Sequence, residues 1–295
     1  MIDYRQVYEW GVEKLRLADI AEAELDARLL LEYVCGTDRN TLLAHGDREV
    51  TAAEYDSYVN QISKREKHIP LQHITGRQEF MGLEFLVNEQ VLIPRQDTEI
   101  LVEEALLHLH DGMRILDMCT GSGCILLSLL YYSNGCTGLG IDISEEALRV
   151  AGQNLDRLRQ TKEEMNAFFI QSDLFALFQD NRQPEGDSAA AYPKQFEMIV
   201  SNPPYVKRDV IGTLMPEVRE HEPLLALDGK EDGLFFYRKI IGQAGNYLAG
   251  GGELLLEIGY DQGEAVREMM ETAGYAEVEV VKDFAGLDRV VRGRM

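Results

Sequence analysis

The sequence predicts an α/β protein, with a doubly wound domain around a mainly parallel sheet, a small helical bundle before it and a β-hairpin between. Three observations support this prediction. From about residue 98 to the C-terminus, strand-like and helix-like segments alternate, as in a parallel sheet with helices on both faces. Residues 1 to about 70 show only helical signals. Residues 71 to about 98 hold short alternating apolar segments punctuated by Gly76 and Gly82, a pattern typical of hairpins.

The helical signals begin with Asp26 to Tyr33 (DARLLLEY), where apolar residues recur at helical spacing and Gly36 ends the helix. Thr51 and Glu54 have the spacing of a capping box, which predicts another helix starting there. We therefore expect a helical N-terminal domain at residues 1–75, a hairpin linker at 76–97 and the α/β domain at 98–295.

The α/β domain can be assigned element by element from its apolar runs. Strands are predicted at Arg114–Met118, Gly138–Asp142, Ala167–Gln171, Glu197–Ser201, Gly252–Glu257, Ala276–Val281 and Arg289–Arg292. Helices are predicted at about 98–110, 122–132, 144–159, 233–248 and 261–273. Residues 179 to 195 (QDNRQPEGDSAAAYPKQ) have the composition of a surface loop.

Composition excludes several classes of partner. The formal charge is −22, from 51 acidic and 29 basic side chains, and such a field repels phosphate backbones where no basic patch opposes it. No apolar run is long enough to span a bilayer, and the N-terminus lacks the apolar core of a signal peptide. The four cysteines show no metal-ligand spacing. We expect a cytoplasmic monomer that holds no metal and binds neither nucleic acid nor membrane.

A glycine-containing turn follows the first strand of the α/β domain. The segment CTGSG, residues 119 to 123, leads into an apolar helix, so backbone amides at a helix N-terminus can approach a ligand. Asp142 ends the next strand, where an acidic side chain accepts hydrogen bonds from ribose hydroxyls. Position 126 is leucine, not the third small residue of a dinucleotide fingerprint. The pattern favours a nucleoside without pyrophosphate, and S-adenosyl-L-methionine fits.

Each of these signals also has a purely structural interpretation. The GSG turn can join a strand to a helix with no ligand, and Asp142 can serve the N-terminus of the helix beginning at Ser144. Asp173, after the third strand, has the same ambiguity. The combination is more specific, because Asp117, Asp142 and Asp173 would all lie at the carboxyl edge of the sheet, where such folds bind ligands.

The fourth strand runs directly into Ser-Asn-Pro-Pro-Tyr, residues 201 to 205. Two prolines fix the backbone and cannot continue the sheet. The Asn202 side-chain carbonyl and the Pro203 backbone carbonyl can accept both N–H groups of a planar amino group, and the diproline of Pro203 and Pro204 holds them in place. Tyr205 offers a flat face to a planar amide or base. The segment therefore predicts a clamp for a planar NH₂ group that receives a methyl group.

At this point the sequence resembles a known family. The segments LQHITGRQEFMGLEF, IPRQDTE, LDMCTGSGCI, SNPPYV and LDGKEDGLFFYRKI together are similar to the HemK/PrmC family, the glutamine methyltransferases of peptide-chain release factors. The resemblance covers almost the whole chain. It implies a Rossmann-like S-adenosylmethionine-dependent methyltransferase domain, S-adenosyl-L-methionine as cofactor, and release factors, methylated at the glutamine of their Gly-Gly-Gln loop, as partners.

The site residues follow from the turn, the strand ends and the resemblance together. The predicted cofactor-binding residues are Asp117, Cys119, Thr120, Gly121, Ser122, Gly123, Asp142, Asp173, Leu174 and Asn202. The predicted catalytic residues are Asn202, Pro203, Pro204 and Tyr205. Two positions depart from the familiar pattern: Gln96 replaces the proline of IPRPDTE, and Leu174 stands where some members have tryptophan, so an apolar adenine contact replaces stacking.

Two other functions are compatible with parts of the pattern. An N(6)-adenine DNA methyltransferase uses the same clamp on a flipped base, but needs a basic groove that this chain lacks. A non-catalytic nucleoside-binding module would leave the clamp unused. Because a glutamine side chain is too small to identify a protein, we expect the acidic helical domain to dock the release factor.

Overall fold

The computed structural model describes residues 2–179 and 193–295, which form two compact units. One unit comprises Met1–Arg77 with Met215–His221, and the other comprises Gln78–Leu214 with Glu222–Met295. Most of the predicted surface loop at 179–195 lies outside the described residues. Among the described residues, no helix has both the length and the apolar character that crossing a bilayer requires.

The first unit is helical. Its helices are α1 (Tyr4–Leu17), α2 (Ala23–Cys35), α3 (Arg39–Ala44), α4 (Ala52–Arg65), α5 (Leu71–Thr75) and α11 (Pro216–His221). The predicted helix boundaries at Gly36 and Thr51 are confirmed: Gly36 ends α2 in the left-handed conformation, and Thr51 forms a capping box with Glu54. Buried aliphatic residues of α1, α2 and α4 form the core.

A buried arginine joins three segments of this helical unit. Arg65 donates to Asp26 at 2.7 Å and to Glu217 at 3.0 Å. Because Glu217 is in α11, distant in sequence, the unit is not a contiguous N-terminal segment.

The predicted hairpin is formed by β1 (Arg77–Phe80) and β2 (Leu83–Leu86). All of it except its first residue, Arg77, belongs to the second unit. The two turn residues, Met81 and Gly82, have φ values of 53° and 69°. A turn with positive φ at both central residues matches the twist of antiparallel strands.

The predicted doubly wound sheet is confirmed in a seven-stranded sheet of order β5-β4-β3-β6-β7-β9-β8. Its strands are β3 (Arg114–Met118), β4 (Thr137–Asp142), β5 (Asn166–Gln171), β6 (Phe196–Ser201), β7 (Leu248–Glu257), β8 (Ala276–Lys282) and β9 (Asp288–Arg294). Strands β3 to β7 are parallel, and β9 is antiparallel to both β7 and β8.

Helices cover both faces of this sheet. They are α6 (Gln96–His108), α7 (Cys124–Tyr131), α8 (Glu145–Leu158), α9 (Ala176–Gln179), α10 (Arg208–Ile211), α12 (Leu224–Leu227), α13 (Phe235–Ala244) and α14 (Gly263–Thr272). One core contains residues of α6, α7 and the hairpin, and the other contains residues of α13 and α14. Successive residues of a strand enter opposite cores, as in Ile115 and Leu116 of β3.

Candidate active site

A cavity of about 270 Å³ lies at the carboxyl edge of the parallel strands, near the lower end of the usual range for small-molecule sites, roughly 300–1,000 Å³. Nine of the predicted site residues line it: Cys119, Thr120, Gly121, Ser122, Asp142, Asp173, Leu174, Asn202 and Pro204. Asp117, Gly123, Pro203 and Tyr205 are not part of its lining. The cavity therefore combines the end of β3, the end of β4, the segment after β5 and the corner after β6.

The turn between β3 and α7 gets its shape from left-handed backbone. Cys119, Gly121 and Gly123 have φ values of 62°, 53° and 78°. Gly123 is also the N-cap of α7, and a Cβ atom there would lie 3.1 Å from the side chains of Ala151 and Leu127. Both the conformation and the space favour glycine at this position.

Asp117 supports the turn from beneath. Its side chain is fully buried, and Oδ2 accepts a hydrogen bond from the Thr120 hydroxyl at 2.6 Å. Burial raises the pKa of Asp117 to about 7. Its Oδ1 is buried and makes no hydrogen bond within the described residues.

Asp142 connects β4 to the turn and to the next helix. Its Oδ2 accepts from the Gly121 amide at 2.9 Å, and its Oδ1 accepts from the Ser144 amide at 2.9 Å. The N-cap of α8 is Ser144, whose hydroxyl accepts from Ala147 N. Burial raises the pKa of Asp142. The carboxylate thus serves a structural role while lining the cavity, where its remaining lone pairs can receive a diol.

The apolar part of the cavity comes from separate segments. Leu174 is buried, and Phe236, Leu225 and Ala226 line the cavity with it. Aliphatic and aromatic surface of this kind suits the planar base of a nucleoside, while the acidic positions suit its hydroxyls and a cationic group.

The corner after β6 begins beside β3. Ser201, the last residue of β6, is paired with Met118, and its hydroxyl donates to the Met118 carbonyl at 2.5 Å. The following residue, Asn202, lines the cavity and donates through Nδ2 to Thr98 Oγ1 at 3.3 Å. Because Nδ2 makes this hydrogen bond, Oδ1 is the atom of the Asn202 amide that can accept a hydrogen bond from a ligand in the cavity.

Tyr205 braces the corner instead of lining the cavity. Its hydroxyl donates to Glu257 Oε1 at 3.2 Å, and its backbone carbonyl accepts from Gln262 Nε2 at 3.1 Å. The backbone at Gly233 lies against the same carbonyl, since a Cβ atom at Gly233 would be 2.5 Å from Tyr205 O. Gly233 also has a φ of 75°. The corner therefore depends on a glycine and two polar residues far away in the sequence.

Three charged residues of IPRQDTE have partners within the second unit. Arg95 lines the cavity and donates to the buried Glu222 at 2.5 Å. Asp97 pairs with Arg289 at 2.9 Å. Glu99 accepts from the backbone amide of Met81 in the hairpin turn at 2.6 Å. All three side chains therefore hold parts of the second unit together, and Arg95 does so while lining the cavity.

Comparison with known proteins gives this geometry its context. Residues 6–76 match the PrmC N-terminal domain, and residues 109–286 match a methyltransferase domain. The release factor glutamine methyltransferase of Caulobacter vibrioides is 39% identical over 291 residues, covering 97% of this chain and 95% of the relative. That of Thermodesulfovibrio yellowstonii is 42% identical over 270 residues, covering 90% of each chain.

The chain belongs to the release factor glutamine methyltransferase family. This confirms the resemblance found in the sequence, the Rossmann-like fold class and the assignment as a protein-glutamine methyltransferase. Among solved structures, the catalytic domain of hMettl16 in complex with the MAT2A 3'UTR hairpin 6 aligns with a TM-score of 0.52 at 15% identity, covering 79% of this chain and 81% of that one. At that identity the likeness shows the fold alone.

Several residues at the site were not predicted from the sequence. They are Thr98, Asn154, Glu222, Glu257 and Gln262. A signal existed for two of them: Thr98 belongs to the family segment IPRQDTE, and Glu257 is an acidic residue closing an apolar strand, as Asp142 does. Gln262 and Asn154 lie in segments whose sequence gives no indication of a role.

Asn154 shows what such a residue contributes. It lies on α8 with no exposed surface, accepts from Leu86 N, and donates to Leu86 O and Ser122 O. One side chain thereby fixes the end of β2 to the glycine turn.

Proposed function

We propose that this enzyme transfers a methyl group from S-adenosyl-L-methionine to the side-chain amide nitrogen of the glutamine in the Gly-Gly-Gln loop of release factors. Family membership supports the reaction and the class of substrate. The observation that supports the proposed site best is Asn202, which lines the cavity with its Nδ2 tied to Thr98.

The residues around the glycine turn suit S-adenosyl-L-methionine. At Gly121 a Cβ atom would meet nothing within 4 Å, so the backbone there borders open space. We assign Asp142 to the ribose hydroxyls, Leu174 to the adenine, and the turn beginning at Cys119 to the amino acid portion. Asp117 is fully buried, so we assign it the role of supporting that turn through Thr120. When bound, this molecule supplies an electrophilic methyl group on a sulfonium.

The corner supplies the chemistry on the substrate side. An amide nitrogen is a weak nucleophile because its lone pair is delocalised. Acceptance of both N–H groups, by Asn202 Oδ1 and the Pro203 carbonyl, would orient that lone pair and stabilise positive charge as it develops on nitrogen. The N–C bond forms as the S–CH₃ bond breaks, and the nitrogen then releases one proton to solvent. Among the described residues, no group of His, Cys, Asp and Glu side chains is arranged to hold a metal ion.

We also propose that the helical unit docks the release factor. Glu9 and Glu13 are exposed on α1 and border an open depression that also includes Leu17, whose side chain is 76% exposed. Release factors bind RNA and so offer basic surface, which complements these carboxylates. Charge complementarity of this kind acts mainly on the association rate.

The experiment is methylation with labelled S-adenosyl-L-methionine, followed by peptide mapping of the release factor. We expect one methyl group on the side chain of the Gly-Gly-Gln glutamine. A release factor in which that glutamine is replaced by alanine is the matched control, and should remain unlabelled.

Duplex DNA in a parallel reaction tests the alternative. Label in DNA and none in the release factor would overturn the proposal in favour of an adenine methyltransferase. Binding of S-adenosyl-L-methionine with no transfer to either substrate would favour a nucleoside-binding module.

A further inference from the structure

The orientation of the Asn202 amide decides whether the clamp can work. A side-chain amide has a donor end and an acceptor end of nearly the same shape, so its orientation depends on the neighbouring hydrogen bonds. The neighbour here is Thr98, which is 3% exposed in the first turn of α6 and lies 3.3 Å from Nδ2 of Asn202. A hydroxyl can donate or accept, so Thr98 alone does not determine which end faces it.

The group that removes this ambiguity is Glu257, the last residue of β7. It is 2% exposed, and its Oε1 accepts from the Tyr205 hydroxyl at 3.2 Å. Thr98 acts on Glu257 directly, since the Thr98 side chain lowers the pKa of the Glu257 carboxyl. Oε2 of Glu257 is buried and has no hydrogen-bond partner within the described residues, so it is the oxygen available to receive the Thr98 proton.

We propose that Glu257 and Thr98 are positioning residues that fix the Asn202 amide in the orientation that methyl transfer requires. This inference rests on the proposed function and extends it. A carboxylate can only accept hydrogen bonds. The single proton of Thr98 therefore points to Glu257, and Thr98 Oγ1 can only accept from Asn202. Nδ2 must then face Thr98, which leaves Oδ1 for the substrate NH₂ group.

Protonation of Glu257 would reverse the chain of hydrogen bonds. A protonated carboxyl can donate to Thr98 Oγ1, whose own proton would then go to Asn202 and favour Oδ1 facing Thr98. Burial has the largest effect on the pKa of Glu257 and raises it. Of the neighbouring charged groups, Arg289 lowers this pKa and Asp97 raises it. Tyr237 donates to the backbone carbonyl of Glu257 at 2.9 Å and so does not compete for the carboxylate.

The ionised carboxylate is therefore the competent form. Burial raises the pKa of Glu257 from 4.5 to about 7, so kcat should rise with pH as Glu257 ionises and level off above that range. A purely structural carboxyl would stabilise the fold without this dependence of kcat.

Two substitutions at Thr98 test the relay, by which we mean the chain of hydrogen bonds from Asn202 through Thr98 to Glu257. Thr98→Val keeps the shape but removes the hydroxyl, and we expect kcat to fall about 10- to 100-fold, as for a misplaced reacting group. The KM for the release factor and the Kd for S-adenosyl-L-methionine should change little. Thr98→Ser restores the hydroxyl and should recover most of kcat. Equal rates for the valine and serine variants, or a valine variant as fast as wild type, would overturn the proposal.

Glu257→Gln tests which group donates the hydrogen bond between residue 257 and Thr98. The neutral amide can donate to Thr98, so kcat should fall and its dependence on pH near 7 should disappear. The matched control is Glu253→Gln, on the same strand but in contact with His108, which should keep both the rate and the pH profile. Wild-type behaviour of Glu257→Gln would contradict the relay.

Neutron diffraction provides a measurement that does not depend on activity. In the deuterated wild-type enzyme the deuterons of Asn202 should point to Thr98, and in Glu257→Gln they should point away from it. The same orientation in both would overturn the inference. A wild-type enzyme that leaves the release factor unmethylated would instead contradict the proposed function, and the diffraction result would still decide the orientation.

Discussion

The glycine turn and the Asn-Pro-Pro-Tyr corner lie at the same edge of the sheet but are constructed differently. Most of the turn's geometry is local: Asp117, Thr120 and Gly123 lie within seven residues of one another, and Thr120 donates directly to Asp117. The corner depends on distant residues, since Thr98 and Glu257 contact the side chains of Asn202 and Tyr205.

The two regions share one device. A buried side-chain amide braces each: Asn154 holds Ser122 in the turn, and Gln262 holds Tyr205 in the corner. We propose that the turn and Asp142 bind the cofactor and that the corner carries out the chemical step. If this division is right, substitutions in the two regions will affect different kinetic constants.

The largest effect is expected from Asn202→Ala. Loss of one transition-state acceptor typically lowers kcat by a factor of about 10²–10³. Single-turnover methylation measures this, and circular dichroism checks the fold. Asn166→Ala, at an exposed position at the start of β5, is the matched control and should react at the wild-type rate. An Asn202→Ala rate within a few-fold of wild type would remove the clamp from the mechanism.

Asp142→Ala should act on binding. Lost charge-assisted hydrogen bonds correspond to roughly 1.5–3 kcal/mol, and calorimetry should show S-adenosyl-L-methionine affinity weakened accordingly. Asp156→Ala, exposed on α8, is the control and should bind normally. Unaltered affinity of Asp142→Ala would leave Asp142 with only its hydrogen bonds to Gly121 and Ser144.

Substitutions of the two bracing amides, Asn154 and Gln262, should also separate cofactor binding from the chemical step, with smaller effects. Gln262→Ala should lower kcat by about tenfold, since the hydrogen bond from Gln262 to the Tyr205 carbonyl of the corner is lost, together with the one to the Gly233 carbonyl behind it. Asn154→Ala should instead raise the Kd for S-adenosyl-L-methionine and leave kcat nearly unchanged. Thermal unfolding should be followed in both variants, because buried partners are left unsatisfied. Identical kinetic signatures in the two variants would contradict the division.

The smallest effect is expected at the proposed docking surface. Reversing Glu9 and Glu13 to lysine should lower kcat/KM on the intact release factor a few-fold at low salt, with the difference shrinking as salt is raised. Reversing Glu268 and Glu271 on α14 provides the control of equal charge change. Exposed substitutions are preferable to deleting residues 1–75, because Glu217 pairs with Arg65 and would lose its partner. Equal effects from both pairs would refute docking at α1.

The fold was largely predictable because strands and helices that alternate leave a clear periodic signal. All seven predicted strands of the α/β domain are present, although β7 starts at Leu248, four residues before the prediction. Its early residues Ala249 to Gly251 lack the apolar pattern of a strand. The short helices α10, α11 and α12 have four to six residues each, too few to show helical periodicity. The change at Gln96 fits easily, because it is the first residue of α6, where proline is favoured but not required.

The site was predictable where its contacts are local. Asp142 had two competing interpretations from the sequence, a ligand contact and a helix-terminal role; the second is observed, and its place in the cavity leaves the first open. Glu257 and Gln262 could not have been assigned to the corner, because their partners lie more than 50 positions away. Contacts between residues so far apart in the sequence cannot be predicted until the order of the strands in the sheet is known.

One measurement tests the division of labour most directly: single-turnover methylation of an intact release factor by Asn202→Ala and Asp142→Ala, side by side, at saturating S-adenosyl-L-methionine. Saturation removes the binding defect, so Asp142→Ala should approach the wild-type rate while Asn202→Ala stays about 10²–10³-fold slower. Two equally slow variants, or a fast Asn202→Ala beside a slow Asp142→Ala, would contradict the assignment of chemistry to the corner and binding to the turn.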